Sequence, residues 1–314
     1  MSVVGDAIAA ASSTRAASLS TSTSTSLAEL SAGSLAYDVD RARLGRQLAA
    51  RFRQLGPDDH TIDFLRRQHA QRHGRARWLA HGVLRTVVSD FTVNAMLGTY
   101  RLHLLSSEQW GELLGAGSLG RLLDVGAGVG DVTRALAFHA DEVLAVETTA
   151  PLVRRLAHAG IAAQLLDLAN PAAAVPKAPY DTIALLNVAD RCAKPRTILQ
   201  RLRESMAHDG RLIVSMPLPY SPMYYRGPRG FDPDEPLPIG RGSWESQARA
   251  LVDNVLVPMD LHVEALTRVP YLSEGDRTVP FYALDAVVVV CRAGGAGARP
   301  PAKSTSGTLD RTKR

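Results

Sequence analysis

Asp124-Val125-Gly126-Ala127-Gly128-Val129-Gly130-Asp131 is the stretch on which the fold turns. It follows a short apolar run, Arg121–Val125, and opens a helix-like stretch from Val132 to His139. Glycines at alternate positions between a strand and a helix let the backbone turn sharply and approach a ligand closely. Downstream the same alternation recurs. Glu142–Glu147 predicts a second strand, Ala150–Ala159 a helix, Ala162–Leu166 a third strand, Thr182–Leu186 a fourth and Arg211–Met216 a fifth. The runs His262–Val269 and Tyr282–Cys291 have no helix-sized gap between them and predict an antiparallel pair that closes the sheet. The expectation is therefore α/β: a Rossmann-like, seven-stranded, mostly parallel sheet with helices on both faces and an antiparallel last strand.

The glycine loop also narrows the cofactor. A dinucleotide fingerprint needs a third glycine five residues after the first, and Asp131 stands there instead. Asp124, two residues before Gly126, suits a ligand that carries an ammonium group and would oppose a pyrophosphate. S-adenosyl-L-methionine has the ammonium and no phosphate. Glu147 ends the second strand, where a carboxylate can accept both ribose hydroxyls; alone, it could equally be an N-terminal helix charge. Asp167, past the third strand, is placed either to meet the adenine amino group or to serve as a loop residue. Gly126, Ala127 and Gly128 complete the expected cofactor cradle.

Charge does not point to nucleic acid. The 314 residues carry 36 Lys+Arg against 31 Asp+Glu, a net +5. Residues 292–314 hold six basic residues and one acidic residue, which accounts for the whole excess. Ten Arg stand against three Asp in 41–77, so the rest of the chain is net acidic. That Arg-rich part reads as either an anion-binding surface or a solvated helix face. Cys192 and Cys291 form neither a CxxC pair nor a Cys-His cluster, so no disulfide scaffold or metal site is expected. No stretch reaches 18 uninterrupted apolar residues, and no membrane span is expected.

Four regions are expected. Residues 1–37, rich in Ala, Ser and Thr, read as a disordered tail, with a composition that an organelle transit peptide would also have. The compartment is thus cytoplasmic, or organellar if 1–35 is such a peptide. Residues 38–114 read as a helical extension, 115–293 as the catalytic domain and 294–314 as a disordered basic tail.

Beyond the fourth strand lies Asn187-Val188-Ala189-Asp190-Arg191-Cys192, at the place where open α/β sheets bind their ligands. Together with Leu122-Leu123-Asp124-Val125-Gly126-Ala127-Gly128, Trp244-Glu245-x-Gln247 and Pro270-Tyr271-Leu272-x-Glu274-Gly275-Asp276, this loop resembles the DREV family of class I methyltransferases. The resemblance runs from about Trp78 to Arg292. It implies a class I methyltransferase fold, S-adenosyl-L-methionine as cofactor, and methylation of protein histidine at Nδ1 within His-x-His motifs. It also implies that Asn187 and Asp190 contact the reactive end of the cofactor and the substrate imidazole, and that Tyr282 holds the ring. Each has a plainer alternative: Asp190 as a helix cap before Pro195, and Tyr282 as a strand aromatic. Glu274 and Asp276 read either as binders of a cationic peptide or as solvated turn residues. Cys192 reads as a packing residue, because no base is positioned to activate it.

Three departures bear on specificity. Val129 stands where the family usually has an acid, Ser273 where a Cys is common, and Pro217–Pro238 is proline-rich and distinct. Peptides or proteins containing His-x-His are the expected partners of what is read as a monomer. Methylation of a small imidazole or phenolic metabolite, or a silent cofactor-binding scaffold, are the competing readings.

Overall fold

A computed structural model of the chain describes residues 32–70, 101–226, 229–275 and 279–294. The expected start of the family resemblance at Trp78, Asp276, and most of both expected tails lie outside the described residues. The elements in chain order are α1 (Arg41–Leu44), α2 (Arg46–Arg51), α3 (Asp59–Ala70), β1 (Leu102–His103), α4 (Ser107–Leu114), β2 (Arg121–Val125), α5 (Asp131–Ala137), β3 (Glu142–Glu147), α6 (Ala150–His158), β4 (Ala163–Leu165) and β5 (Tyr180–Leu186). They continue with α7 (Pro195–Glu204), β6 (Met206–Pro217), β7 (Tyr224–Arg226), β8 (Arg229–Phe231), α8 (Trp244–Leu251), β9 (Leu261–Glu274) and β10 (Phe281–Ala293).

The main sheet has the order β1-β9-β10-β6-β5-β2-β3-β4, and β7 pairs with β8 apart from it. From β4 to β6 every pairing is parallel; β10 runs antiparallel to both β6 and β9. This is the Rossmann-like class I methyltransferase architecture, with its last strand reversed. The expected seven strands are all present, and β1 adds an eighth at the edge. Leu102 and His103 pair with Ser273 and Leu272 inside a region expected to be helical. The reason is the length of β9, which continues past Pro270 to Glu274 and leaves an open edge. Pro270 is tolerated because, among the described residues, no strand takes its hydrogen bond on the outer side.

The chain moves from β2 outward to β3 and β4, then returns to β5 on the other side of β2. That reversal opens a crevice at the carboxyl ends of β2 and β5. On one face of the sheet Ile198, Leu199 and Leu202 of α7 and Leu251 of α8 pack on Leu123, Ile183 and Leu185. On the other, Trp110 of α4 and Leu136 of α5 pack on Leu122, Ala184 and Ile213. The Arg-rich segment joins the first core through Leu44, Leu48 and Phe52, with Arg41, Arg43, Arg46 and Arg51 exposed. These four arginines are thus a solvated face on an apolar stripe. Ala32 and Leu35 pack with Phe64, Leu65 and Leu272, so the ordered chain reaches into the segment expected as a tail up to 37.

Candidate active site

The loop after β2 is built from left-handed backbone. Gly126, Gly128 and Gly130 have φ of 76°, 61° and 85°. At Gly126 a Cβ would come to 2.4 Å from Val188 Cγ2, and at Gly130 to 2.9 Å from both Ile161 and Leu156. These two glycines let the loop lie against the β5 loop and against α6. Gly128 differs: nothing lies within 4 Å of where its Cβ would be. The cradle is therefore open at the middle glycine, where a ligand can reach the backbone.

Two carboxylates brace this loop. Asp124 is 2% exposed and its Oδ2 accepts a 2.6 Å bond from Thr133 Oγ1. Burial pushes its pKa up to about 6, opposed by the Thr133 hydroxyl and reinforced by the negative charge of Glu147. Glu147, at the end of β3, accepts from Gly128 N at 2.6 Å and from Thr148 N at 3.0 Å. Burial raises its pKa as well, and the two N–H groups oppose the rise. Asp167 is exposed past β4 and closes its own turn, accepting from Ala169 N at 2.9 Å.

The β5 loop supplies the other wall. Asn187 adopts φ 56°, outside glycine's usual monopoly, and its N–H donates to Ser215 O at 2.9 Å. Its side-chain Oδ1 is buried and finds no partner among the described residues, and the same holds for Asp190 Oδ1. The second oxygen of Asp190 accepts from Arg191 Nε at 3.1 Å, and the Arg191 guanidinium lies 5.8 Å from the Tyr271 ring centroid. A buried polar atom without a partner costs about 1–3 kcal/mol. Two on one loop, at the carboxyl end of β5, mark where a ligand's donors could belong. With the open cradle at Gly128, they are a good fit to a cofactor that lies across β2 and β5.

The remaining expected residues divide. Tyr282 is half-buried on β10 opposite Ser273, in the part of the β9–β10 hairpin that runs beyond the last β6 pair, Ala286 with Pro217. Glu274 is no solvated turn residue. It ends β9, is 3% exposed, and accepts from Arg101 N at 3.0 Å while its own N–H donates to Arg101 O. Cys192 is half-buried and its thiol is pushed up to about 12, first by burial and then by the charge of Asp190.

The proline-rich segment contributes groups that no sequence motif identified. Met223 N donates to Asp190 O at 2.9 Å, Asp234 N donates to Ala193 O at 2.8 Å, and Glu235 accepts from Thr197 N and Oγ1. Tyr220 is pinned by Gln247 Oε1 on its N–H and accepts from Leu237 N. The segment is a strap tied to the loop that carries Asp190. Behind it Arg268 joins four pieces of chain. It bonds both oxygens of Asp285, donates to Asp38 O, and lies 5.0 Å from the Trp244 ring and 5.4 Å from Tyr37. Thr149, the residue before α6, has a buried hydroxyl without a partner and is a further candidate for the cofactor side.

The sequence profile of the family described as DREV methyltransferase matches residues 36–293. The match takes in α1 to α3, so the Arg-rich segment, expected to lie outside the family resemblance, belongs to it. Among solved structures the chain is similar to the N-methyltransferase NodS from Bradyrhizobium japonicum WM9 in complex with S-adenosyl-L-homocysteine. That similarity is 14% identity over 60% of this chain and 83% of that one, with a TM-score of 0.37. A DhpI–SAH complex gives 17% over 68% and 98%, with a TM-score of 0.43. A SAM-dependent methyltransferase from Aquifex aeolicus gives 16% over 60% and 90%, with a TM-score of 0.38.

Proposed function

The chain belongs to the DREV methyltransferase family, and from that premise we propose that it methylates protein histidine at Nδ1 within His-x-His motifs. Its cofactor is S-adenosyl-L-methionine, which supplies an electrophilic methyl group. The observation that carries the histidine reading is Asp190 Oδ1, buried in the β5 loop with no partner among the described residues.

Neutral imidazole is already a nucleophile, so the chain need not generate one. The attacking nitrogen must be unprotonated, which leaves the proton on the other ring nitrogen. Asp190 Oδ1 accepts that Nε2–H, fixes the tautomer and stabilises the ring as positive charge develops. Arg191 and Met223 N hold Asp190 by its other oxygen and its carbonyl, which would leave Oδ1 for the acceptor. Tyr282, on the projecting hairpin, would hold the ring in line. Glu147, the Gly126–Gly128 backbone and Asp167 would bind the nucleoside, with Asn187 Oδ1 toward the methionine end. Asp124 works at one remove, through Thr133 and the loop.

The test is methyl transfer to a His-Ala-His peptide from labelled cofactor, with the modified residue located by mass spectrometry. The expected product is a single Nδ1-methylhistidine. Transfer only to small imidazoles or phenols, or to lysine or arginine, sinks the reading. Cofactor binding with no acceptor at all would make the chain a scaffold.

A further inference from the structure

A second site lies outside the crevice. Between α5 and α6, beside Val129 of the glycine loop, a groove of about 610 Å³ is lined by Arg101, Arg134, Arg154, Arg155 and His158. Its lining among the described residues includes no acidic side chain. The nearest carboxylate, Asp131, is already bonded to Arg101 at 3.0 Å and to Arg134 at 3.3 Å. Arg154 and His158 have no ion pair or hydrogen-bonding partner among the described residues. Three of these basic residues, Arg154, Arg155 and His158, come from one stripe of α6, while Leu152 and Leu156 are buried on its other face. Such clustering is unusual in this chain, whose residues outside 41–77 and 292–314 are net acidic.

Arg101 links the groove to the end of β9, where its backbone is bonded to Glu274 in both directions. Glu274 pairs with Phe281, the neighbour of Tyr282. The geometry points to a docking site for a short acidic segment of the protein substrate, flanking the methylated histidine. Guanidinium groups match carboxylates in forked pairs, and the volume suits a few side chains rather than a nucleic-acid track. This inference rests on the reading of the chain as a protein methyltransferase.

The experiment measures binding of labelled peptides to the full chain by fluorescence anisotropy. His-Ala-His is flanked by a run of glutamates or of glutamines, and a third peptide keeps the glutamates with both histidines changed to alanine. The glutamate peptides should bind roughly tenfold tighter than the glutamine peptide, with or without histidine. Arg154→Glu with His158→Glu should erase that difference and leave methylation of the glutamine peptide unchanged, since neither residue belongs to the catalytic crevice. Equal binding of both flanks, or a difference that survives the double variant, overturns the proposal. So does tighter binding of inorganic phosphate or an RNA oligonucleotide at the same residues. Glutamate-dependent binding without histidine methylation would support the groove and overturn only the reaction assigned above.

Discussion

The two walls of the crevice are built in opposite ways. The β2–β3 wall is one contiguous stretch, from Asp124 to Thr149, and its contacts are short-range: Asp124 to Thr133, Glu147 to Gly128. The β5–β10 wall gathers Asn187 and Asp190 with Met223, Arg268, Asp285 and residues near Tyr37, which are far apart in the chain. The first wall presents an invariant cofactor with backbone and carboxylates. The second wall is proposed to receive the acceptor, and its groups come from distant segments rather than from the first wall. If that division is right, substitutions on the two walls should separate cofactor binding from acceptor chemistry.

The largest effect is expected from the pair Asp190→Ala and Glu147→Ala. If Asp190 accepts the imidazole N–H as proposed, its loss should lower methyl transfer roughly a thousandfold. Calorimetric affinity for S-adenosyl-L-methionine should change by no more than a few-fold. Glu147→Ala should do the reverse, weakening the cofactor while leaving peptide binding intact. If both variants lose cofactor affinity equally, the walls are one unit and the comparison breaks.

Next in size is Arg268→Met. Arg268 stands against the carboxylates of Asp285 and Glu245, at 2.6 Å and 3.9 Å. Burial holds the Asp285 pKa above its ordinary value in spite of Arg268. Removing the cation leaves the half-buried Asp285 and the buried Glu245 without it, a loss of about 3 kcal/mol or less, since Asp285 keeps part of its solvent. The backbone carbonyl of Asp285 accepts from Leu218 N, at the root of the strap. Denaturant midpoints should therefore fall, and KM for the peptide should rise more than that for the cofactor. An effect on stability alone would reduce Arg268 to a staple with no bearing on the acceptor wall.

The contrast also explains what could be read in advance. The alternation of strands and helices, the glycine loop and Glu147 follow from apolar runs and from glycine's access to positive φ, which are local properties. The DREV match adds Asn187 and Asp190, whose spacing is again local. Glu274 was misplaced as a turn residue because its environment depends on Arg101 pairing 173 positions away. Arg268 could not be foreseen at all: an arginine between Thr267 and Val269 gives no sign that it joins Tyr37, Trp244 and Asp285. The one clue to the strap was its proline content, which marks a segment of irregular backbone without saying what it covers.

A smaller effect should come from the contact where the walls meet. Gly126→Ala places a methyl 2.4 Å from Val188 Cγ2 on a residue with φ 76°, so it strains backbone and packing together. A loss of about 2 kcal/mol is expected, and Val188→Ala in the same chain should recover the packing part but not the backbone part of about 1 kcal/mol. Gly128→Ala, with φ 61° but open space around it, should cost only the backbone part and weaken the cofactor instead. Full rescue of Gly126→Ala by Val188→Ala would mean that the walls touch only sterically.

Cys192 offers the mildest and most local test. Cys192→Ala should leave turnover within about threefold, because the thiol contributes packing rather than chemistry. Its pKa of about 12 keeps it protonated, so iodoacetamide at pH 8.5 should modify it about a hundredfold more slowly than an ordinary cysteine. Part of that shift comes from the charge of Asp190, behind burial as the larger cause. Asp190→Asn should therefore speed alkylation of Cys192 at fixed pH, while Glu147→Gln on the opposite wall should not. Cys291 is fully buried on β10 and its pKa is also raised by burial, so peptide mapping can assign the signal to Cys192. Acceleration by both substitutions would show that Cys192 senses loosening of the whole crevice, and the electrostatic separation of the two walls would fall with it.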